Sequence, residues 1–276
     1  MTKCHHFLPV LLSVLLFAAC KPAPKGPSLS EYGANSEASE QVRFEKYVQH
    51  LLAAAPEQAR TMQDSLLRDA AQDSARWNRI VKLEELFLFD PNSPYRDEER
   101  YLPVVEHLLV SPLASEQQRM FAQWAAPRLS LNRLGTKAAD FAFMSSDGRR
   151  HTLYQTVDAR KPRPRLILLF FSNPGCPNCK EITEALTNDL TIAALMDSGE
   201  LLVINTYPDE DLQAWLDYLP NYPRQWVCGY DPDQVLNSHT VYWLRAIPSL
   251  YLLDDQLRVL RKDAPLEQIL IDCKQR

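Results

Sequence analysis

The stretch Leu166-Ile167-Leu168-Leu169-Phe170-Phe171-Ser172-Asn173-Pro174-Gly175-Cys176-Pro177-Asn178-Cys179-Lys180 decides the fold. Its first six residues are apolar without a break, which is the pattern of a strand buried on both faces of a sheet. Ser172-Asn173-Pro174-Gly175 is turn chemistry, and from Cys176 to about Met196 the chain reads as a helix. A C-x-x-C pair set directly after a buried strand, at the start of a helix, is far more specific than the spacing alone. Amides and dipole at a helix start stabilise negative charge, and thiolate is the reactive form of cysteine. Cys176, nearer the turn and solvent, is thereby placed to attack a disulfide in another molecule. Cys179, one helical turn on, is placed to release the mixed disulfide that results.

Beyond this stretch, Leu201 to Asn205 reads as a strand and Asp209 to Tyr218 as a helix. Ser249 to Leu253 and Leu257 to Leu260 read as a hairpin around Asp254-Asp255-Gln256, with a closing helix from Pro265. After Leu134-Gly135, short apolar runs alternate with helical patterns, the sign of βαβ units around a sheet. Residues 133–276 are therefore expected to form an α/β domain, a three-layer sandwich. Before that point the period is helical. Phe44, Tyr47, Val48, Leu51 and Leu52 share one face of a 3.6-residue repeat, as do Trp77, Ile80, Val81, Leu83 and Phe87, and again Tyr101, Val104, Val105, Leu108 and Leu109. A further helix is expected over roughly 115–127, and Asp90-Pro91-Asn92-Ser93-Pro94 breaks the pattern. Residues 38–132 thus read as an all-α domain, and no catalytic constellation is visible in it.

At the amino terminus Lys3 precedes an apolar run, Phe7 to Ala19, that ends in Leu16-Phe17-Ala18-Ala19-Cys20. The run has the length of a secretory h-region, shorter than the roughly 20 apolar residues of a membrane span. Residues 1–19 read as a signal peptide. The small residues before Cys20 resemble a bacterial lipobox, in which the cysteine is lipidated, although Phe17 stands where leucine is usual. Residues 20–37, beginning Cys-Lys-Pro-Ala-Pro-Lys-Gly-Pro-Ser, have the composition of an extended tether. A location in the cell envelope is expected, lipid-anchored and facing the periplasm or the cell surface, where disulfide chemistry is sustained. Of the six cysteines, Cys4 would leave with the signal and Cys20 would carry lipid. Cys228 and Cys273 are open to a structural disulfide, but buried free thiols are the favoured reading.

Several function classes fall away. The net charge is −5 and no Lys/Arg cluster is interleaved with aromatics, so nucleic acid is not an expected partner. With 7 glycines and neither GxGxxG nor GxxxxGK[ST], the chain has no phosphate-cradling loop. Metal binding by Cys176 and Cys179 would require two more ligands, and no second CxxC or paired histidine follows. Cys4-His5-His6 lies in the leader, and His50, His107, His151 and His239 are isolated. No cofactor or metal is expected. The five tryptophans, Trp77, Trp124, Trp215, Trp226 and Trp243, read as core or groove lining.

Over residues 134–276 the sequence resembles the thioredoxin superfamily, especially the envelope-anchored thioredoxin-like reductases of the cytochrome-maturation type. The likeness rests on Gly135 with Ala139-Asp140-Phe141, on Asp147-Gly148, on the stretch quoted above, and on Arg245-Ala246-Ile247-Pro248-Ser249-Leu250-Tyr251-Leu252. The resemblance implies a thioredoxin-like fold with Cys176 and Cys179 catalytic. It implies a cis Pro248 against the cysteines, with Ile247 contacting an incoming peptide and Pro177 and Asn178 as supporting residues. Thioredoxin carries a buried acid six residues before its first cysteine; here that position is Phe170. Some anchored relatives carry a glutamate three residues after the second cysteine; here it is Ile182, with Glu181 and Glu184 read as solvated helix charges. The motif fixes the chemistry and leaves the potential open between about −270 and −120 mV.

Leu88-Phe89-Asp90-Pro91-Asn92-Ser93-Pro94-Tyr95 through Tyr101-Leu102-Pro103 also resembles a helical domain of unknown function found ahead of thioredoxin domains in exported bacterial proteins. The expected function is a thiol-disulfide oxidoreductase of the envelope. Its expected partners are exported proteins carrying disulfides or dithiols, an electron-donating envelope thiol-disulfide partner, and the membrane through the lipid anchor. Two alternatives stand beside it. One is a thiol peroxidase, disfavoured because Asn173 occupies the threonine position of that family's Thr-x-x-Cys; the other is a non-enzymatic partner-binding lipoprotein.

Overall fold

The computed structural model describes residues 37–276. The signal peptide, Cys20 and nearly all of the tether lie outside the described residues. Five helices come first: α1 (Glu37–Ala53), α2 (Pro56–Ala70), α3 (Ser74–Glu84), α4 (Glu98–Val110) and α5 (Glu116–Leu129), with a π-helical turn at Glu85–Phe89 continuing α3. Side chains that accept from orphan amides start three of them. Asp73 accepts from Arg76 N, Asp97 from Arg100 N, and Ser115 forms a capping box with Gln118. The three apolar stripes read from sequence converge on one core in which Phe44, Tyr47, Leu51, Trp77, Val104 and Val105 are buried.

Two details differ from expectation. Leu109 is 37 % exposed, because eight positions on from Tyr101 the helix has rotated past the edge of the buried stripe. The helix left unread in this first region is α2, which buries Ala59, Met62, Leu66, Leu67 and Ala70 at helical spacing; the polar Gln63, also buried, interrupts that pattern.

The second region forms a seven-stranded sheet. In chain order it runs β1 (Ala142–Met144), β2 (Arg150–Thr152), α6 (Leu153–Asp158), β3 (Leu166–Phe171), α7 (Pro177–Asn188), α8 (Leu190–Asp197), β4 (Leu201–Tyr207), α9 (Leu212–Tyr218), β5 (Val227–Tyr230), β6 (Ser249–Asp254), β7 (Val259–Arg261) and α10 (Leu266–Gln275). The strand order is β2-β1-β5-β4-β3-β6-β7. β3, β4 and β5 are parallel, and the remaining pairings are antiparallel.

All six residues of β3 are buried, and alternation divides them between two apolar layers. Leu166, Leu168 and Phe170 face α7, α8 and α10, while Ile167, Leu169 and Phe171 face α6 and the chain around Leu236–Leu244. This is the expected three-layer α/β sandwich. The helix read continuously from Cys176 to Met196 is instead two helices. Asp189 breaks it by accepting from Thr191 N and Ile192 N, which caps α8.

One residue of the second region belongs to the first core. Trp243 is 2 % exposed and lies in the helical cluster, against Phe89 and Trp124. Trp124 itself is 46 % exposed.

Candidate functional site

The turn from β3 to α7 sets the geometry of the cysteine pair. Gly175 holds φ at +72°, a conformation that costs glycine nothing, and Cys176 N donates to Asn173 O at 3.3 Å across the turn. Cys176 is the N-cap of α7, and its Sγ accepts from Cys179 N at 3.2 Å. A helix amide thus points at the leading sulfur. Pro177 sits at the first helical position, where a missing amide removes no helical hydrogen bond, and both Pro177 and Asn178 are exposed. Cys176 is half-buried, whereas Cys179 is 3 % exposed inside the apolar layer that contains Phe170, Ile182 and Leu250. Burial, followed by the hydrogen bond that the Cys179 thiol donates to the Cys176 sulfur, pushes Cys179 well above the ordinary range. The two sulfurs therefore differ in kind: one is accessible at a helix start, the other is a protected thiol one turn deeper.

Opposite the turn lies the Ile247–Pro248 segment, whose peptide bond is cis. The antiparallel register pairs Phe171 with Ser249, which sets Pro248 across from Ser172, four residues before Cys176. Ile247 and Cys176 pack onto the same apolar layer.

Phe170 is fully buried and meets Trp226 edge-to-face at 5.9 Å, so no acid stands on β3 beneath the pair. One strand over, Asn205, the β4 partner of Phe170, is fully buried and donates to Ser172 Oγ at 2.6 Å. Ser172 Oγ in turn shares a hydrogen with the Tyr222 hydroxyl at 2.9 Å. This Asn205–Ser172–Tyr222 chain was not foreseen. Its one local signal was an asparagine directly after the apolar run Leu201-Leu202-Val203-Ile204. Glu181 and Glu184 are exposed on α7, and Ile182 is turned into the core. Cys228, the β5 partner of Asn205, and Cys273 are free thiols, as are Cys176 and Cys179. Burial raises Cys228 to about 12 and Cys273 to about 11. Among the described residues no three His, Cys, Asp or Glu side chains are grouped as a metal site would require.

Comparison with known proteins adds three findings. A family described as a domain of unknown function (DUF5106) matches residues 30–125. The crystal structure of a thioredoxin-like protein from Bacteroides caccae is 32% identical, with a TM-score of 0.76 over 86% of this chain and 83% of that one. The C-terminal domain of an uncharacterized protein from Bacteroides fragilis is 38% identical over 52% of this chain and 98% of that one, with a TM-score of 0.48. No curated protein matches the chain.

Proposed function

The chain belongs to the thioredoxin-like proteins, and from that premise we propose that it is a thiol-disulfide oxidoreductase whose working pair is Cys176 and Cys179. The observation that carries the reading is the asymmetry of the pair: an accessible Sγ capped by a helix amide, and a buried thiol one turn below it. In the reducing direction the Cys176 thiolate attacks one sulfur of a substrate disulfide. A Cys176–substrate bond forms, the substrate bond breaks, and the departing sulfur takes a proton. Cys179 then gives up its proton and attacks the Cys176 sulfur, closing the internal disulfide and expelling the second substrate sulfur. Two electrons have passed to the substrate, and a dithiol donor resets the pair by the same steps reversed. Pro177 and Asn178 shape the exposed rim, and Ile247 and Pro248 form the ledge on which a substrate peptide would lie.

The reading extends to a setting in the cell envelope, with Cys20 lipidated and exported disulfide proteins as substrates. Support for that part comes from the leader-like residues 1–19 and from the compartments in which disulfide exchange persists. The likeness to cytochrome-maturation reductases belongs to the same proposal.

The test is a redox titration of the full chain against buffers of graded potential, with differential alkylation and peptide mass mapping to read each cysteine separately. A reversible couple shared by Cys176 and Cys179 is expected. A value near about −270 mV marks a reductase and one between about −180 and −120 mV an oxidant or isomerase. Absence of any reversible couple at these two residues would remove the reading.

A further inference from the structure

From Asp231 to Pro248 the chain joining β5 to β6 contains no strand or helix, yet each residue from Val241 to Arg245 is held by a bond or by burial. Val241 O accepts from Asn132 Nδ2 at 2.8 Å, and the Tyr242 hydroxyl donates to Ala139 O at 2.8 Å. Trp243 is sunk in the helical core and Leu244 in the sheet core.

Arg245 is the densest anchor. Its side chain is 5% exposed; Nε lies 2.9 Å from Glu98 and a terminal nitrogen 2.7 Å from Asp263, where exposures are 1% and 3%. The same guanidinium donates to Phe89 O and covers the Phe89 ring at 4.6 Å. Lys262, 1% exposed, pairs with Glu98 at 2.8 Å and donates to Leu129 O and Leu131 O. Two cations and two anions thus close a buried quartet. Asp263 then reaches past Arg245 to accept from Ser249 Oγ at 2.8 Å, one residue beyond Pro248. From the helical side, Arg96 also donates to Asp263 O at 3.0 Å and Ala264 O at 3.1 Å. Glu98 and Phe89 are helical-region groups, so Arg245, ahead of the Ile247–Pro248 ledge, is bonded to that region directly, and Ser249, just past it, is tied to it through Asp263, whose carbonyl Arg96 holds.

We infer that the helical region is a positioning element of the redox site: through Glu98 and Arg96 it fixes Arg245 and Asp263, and through them the Ile247–Pro248 ledge opposite the Cys176 turn. The inference rests on the reading in which Cys176 attacks a substrate held on that ledge. Removing a charge from a hydrogen-bonded buried cluster leaves the remaining charges uncompensated, so the segment they hold loses its fixed place. The cysteine turn itself is built by β3 and α7 and does not depend on the quartet. Glu98 and Arg245 are positioning residues, acting on substrate placement and not on sulfur chemistry.

The experiment compares the full-length native chain with Glu98→Gln and, as the milder change at a half-buried position, Arg96→Gln. Hydrogen exchange is read by mass spectrometry over residues 241–252 and, as control, over β3 and α7. Steady-state exchange is measured with a disulfide-bonded peptide and with a small aromatic disulfide that needs no ledge. Both variants are expected to speed exchange over 241–252 with β3 and α7 unchanged. The peptide KM should rise at least fivefold, while the rate with the small disulfide stays within twofold. Native-like exchange over 241–252 in both variants overturns the inference, as does a proportional loss with both substrates. Should the native chain act on neither disulfide, the oxidoreductase reading falls, and the hydrogen-exchange arm alone decides whether the helical region holds the ledge. If Glu98→Gln does not fold, Arg96→Gln decides by the same criteria.

Discussion

At the scale of single residues, position at the helix start and burial set two neighbouring thiols apart. Cys176 and Cys179 are three positions apart, yet one cap and one burial make them unlike. Cys179→Ser is therefore expected to stop the cycle at the mixed disulfide, trapping substrate on Cys176, whereas Cys176→Ser traps nothing; mass analysis of adducts after quenching with alkylating agent checks both.

Glu84 is the opposite case, a carboxyl with no cation beside it. It is fully buried, accepts from Gln63 Nε2 at 2.9 Å, and burial raises its pKa from 4.5 to about 8. Between those values the folded state holds a proton that the unfolded chain has released. The stability tied to this proton is whole below 4.5, falls as pH rises and is gone above about 8. The span corresponds to roughly 5 kcal/mol at 1.36 kcal/mol per unit. Glu84→Gln should therefore unfold at higher denaturant than the native chain at pH 8.5, and the gain should vanish at pH 5, as read by urea titration at the two pH values.

Among the elements, those that announced themselves had either a strong period or a strong end signal. β3 was legible because six apolar residues between turn formers admit few other readings, and α4 because Tyr101, Val104, Val105 and Leu108 recur at helical spacing. α2 escaped because Gln63 sits in its buried stripe, where it accepts from the Tyr47 hydroxyl and donates to Glu84 and Arg100 O. β5 escaped because it is four residues long and holds Gly229, where any side chain would collide with the Phe143 ring of β1. That demand comes from a neighbouring strand and leaves no trace in local composition. The break between α7 and α8 turns on Asp189, which caps α8 and pairs with Lys274 of α10 at 2.5 Å. Asp189→Ala is expected to cost about 1 kcal/mol through the lost cap, visible as a lower urea midpoint, with Cys176 alkylation unchanged because the other end of α7 is untouched.

On the scale of the whole molecule, the two regions share material. Trp243 belongs by sequence to the second and by burial to the first, and the Glu98–Arg245–Lys262–Asp263 quartet lies between them. Unfolding should accordingly be a single transition, with far-ultraviolet dichroism and tryptophan fluorescence giving coincident curves. Trp243→Ala is expected to cost about 3–5 kcal/mol, as truncation of a buried tryptophan does. It should also separate the two curves, because the shared core is lost. Coincident curves in this variant would show that Trp243 does not couple the regions.

The sequence by itself determined the period of each major element, the change from helical to alternating pattern near residue 134, and the strand-turn-CxxC order that makes a thioredoxin-like sheet. Those are local properties, carried by spacing along the chain. Only the tertiary structure decided that Asn205, Ser172 and Tyr222 meet beside Phe170, that Trp243 leaves its own layer, and that Arg245 is matched by a glutamate 147 positions earlier. Each of these depends on which side chains a packed interior brings within reach of one another. A buried charge or amide is settled by partners distant in sequence, and no local pattern names them.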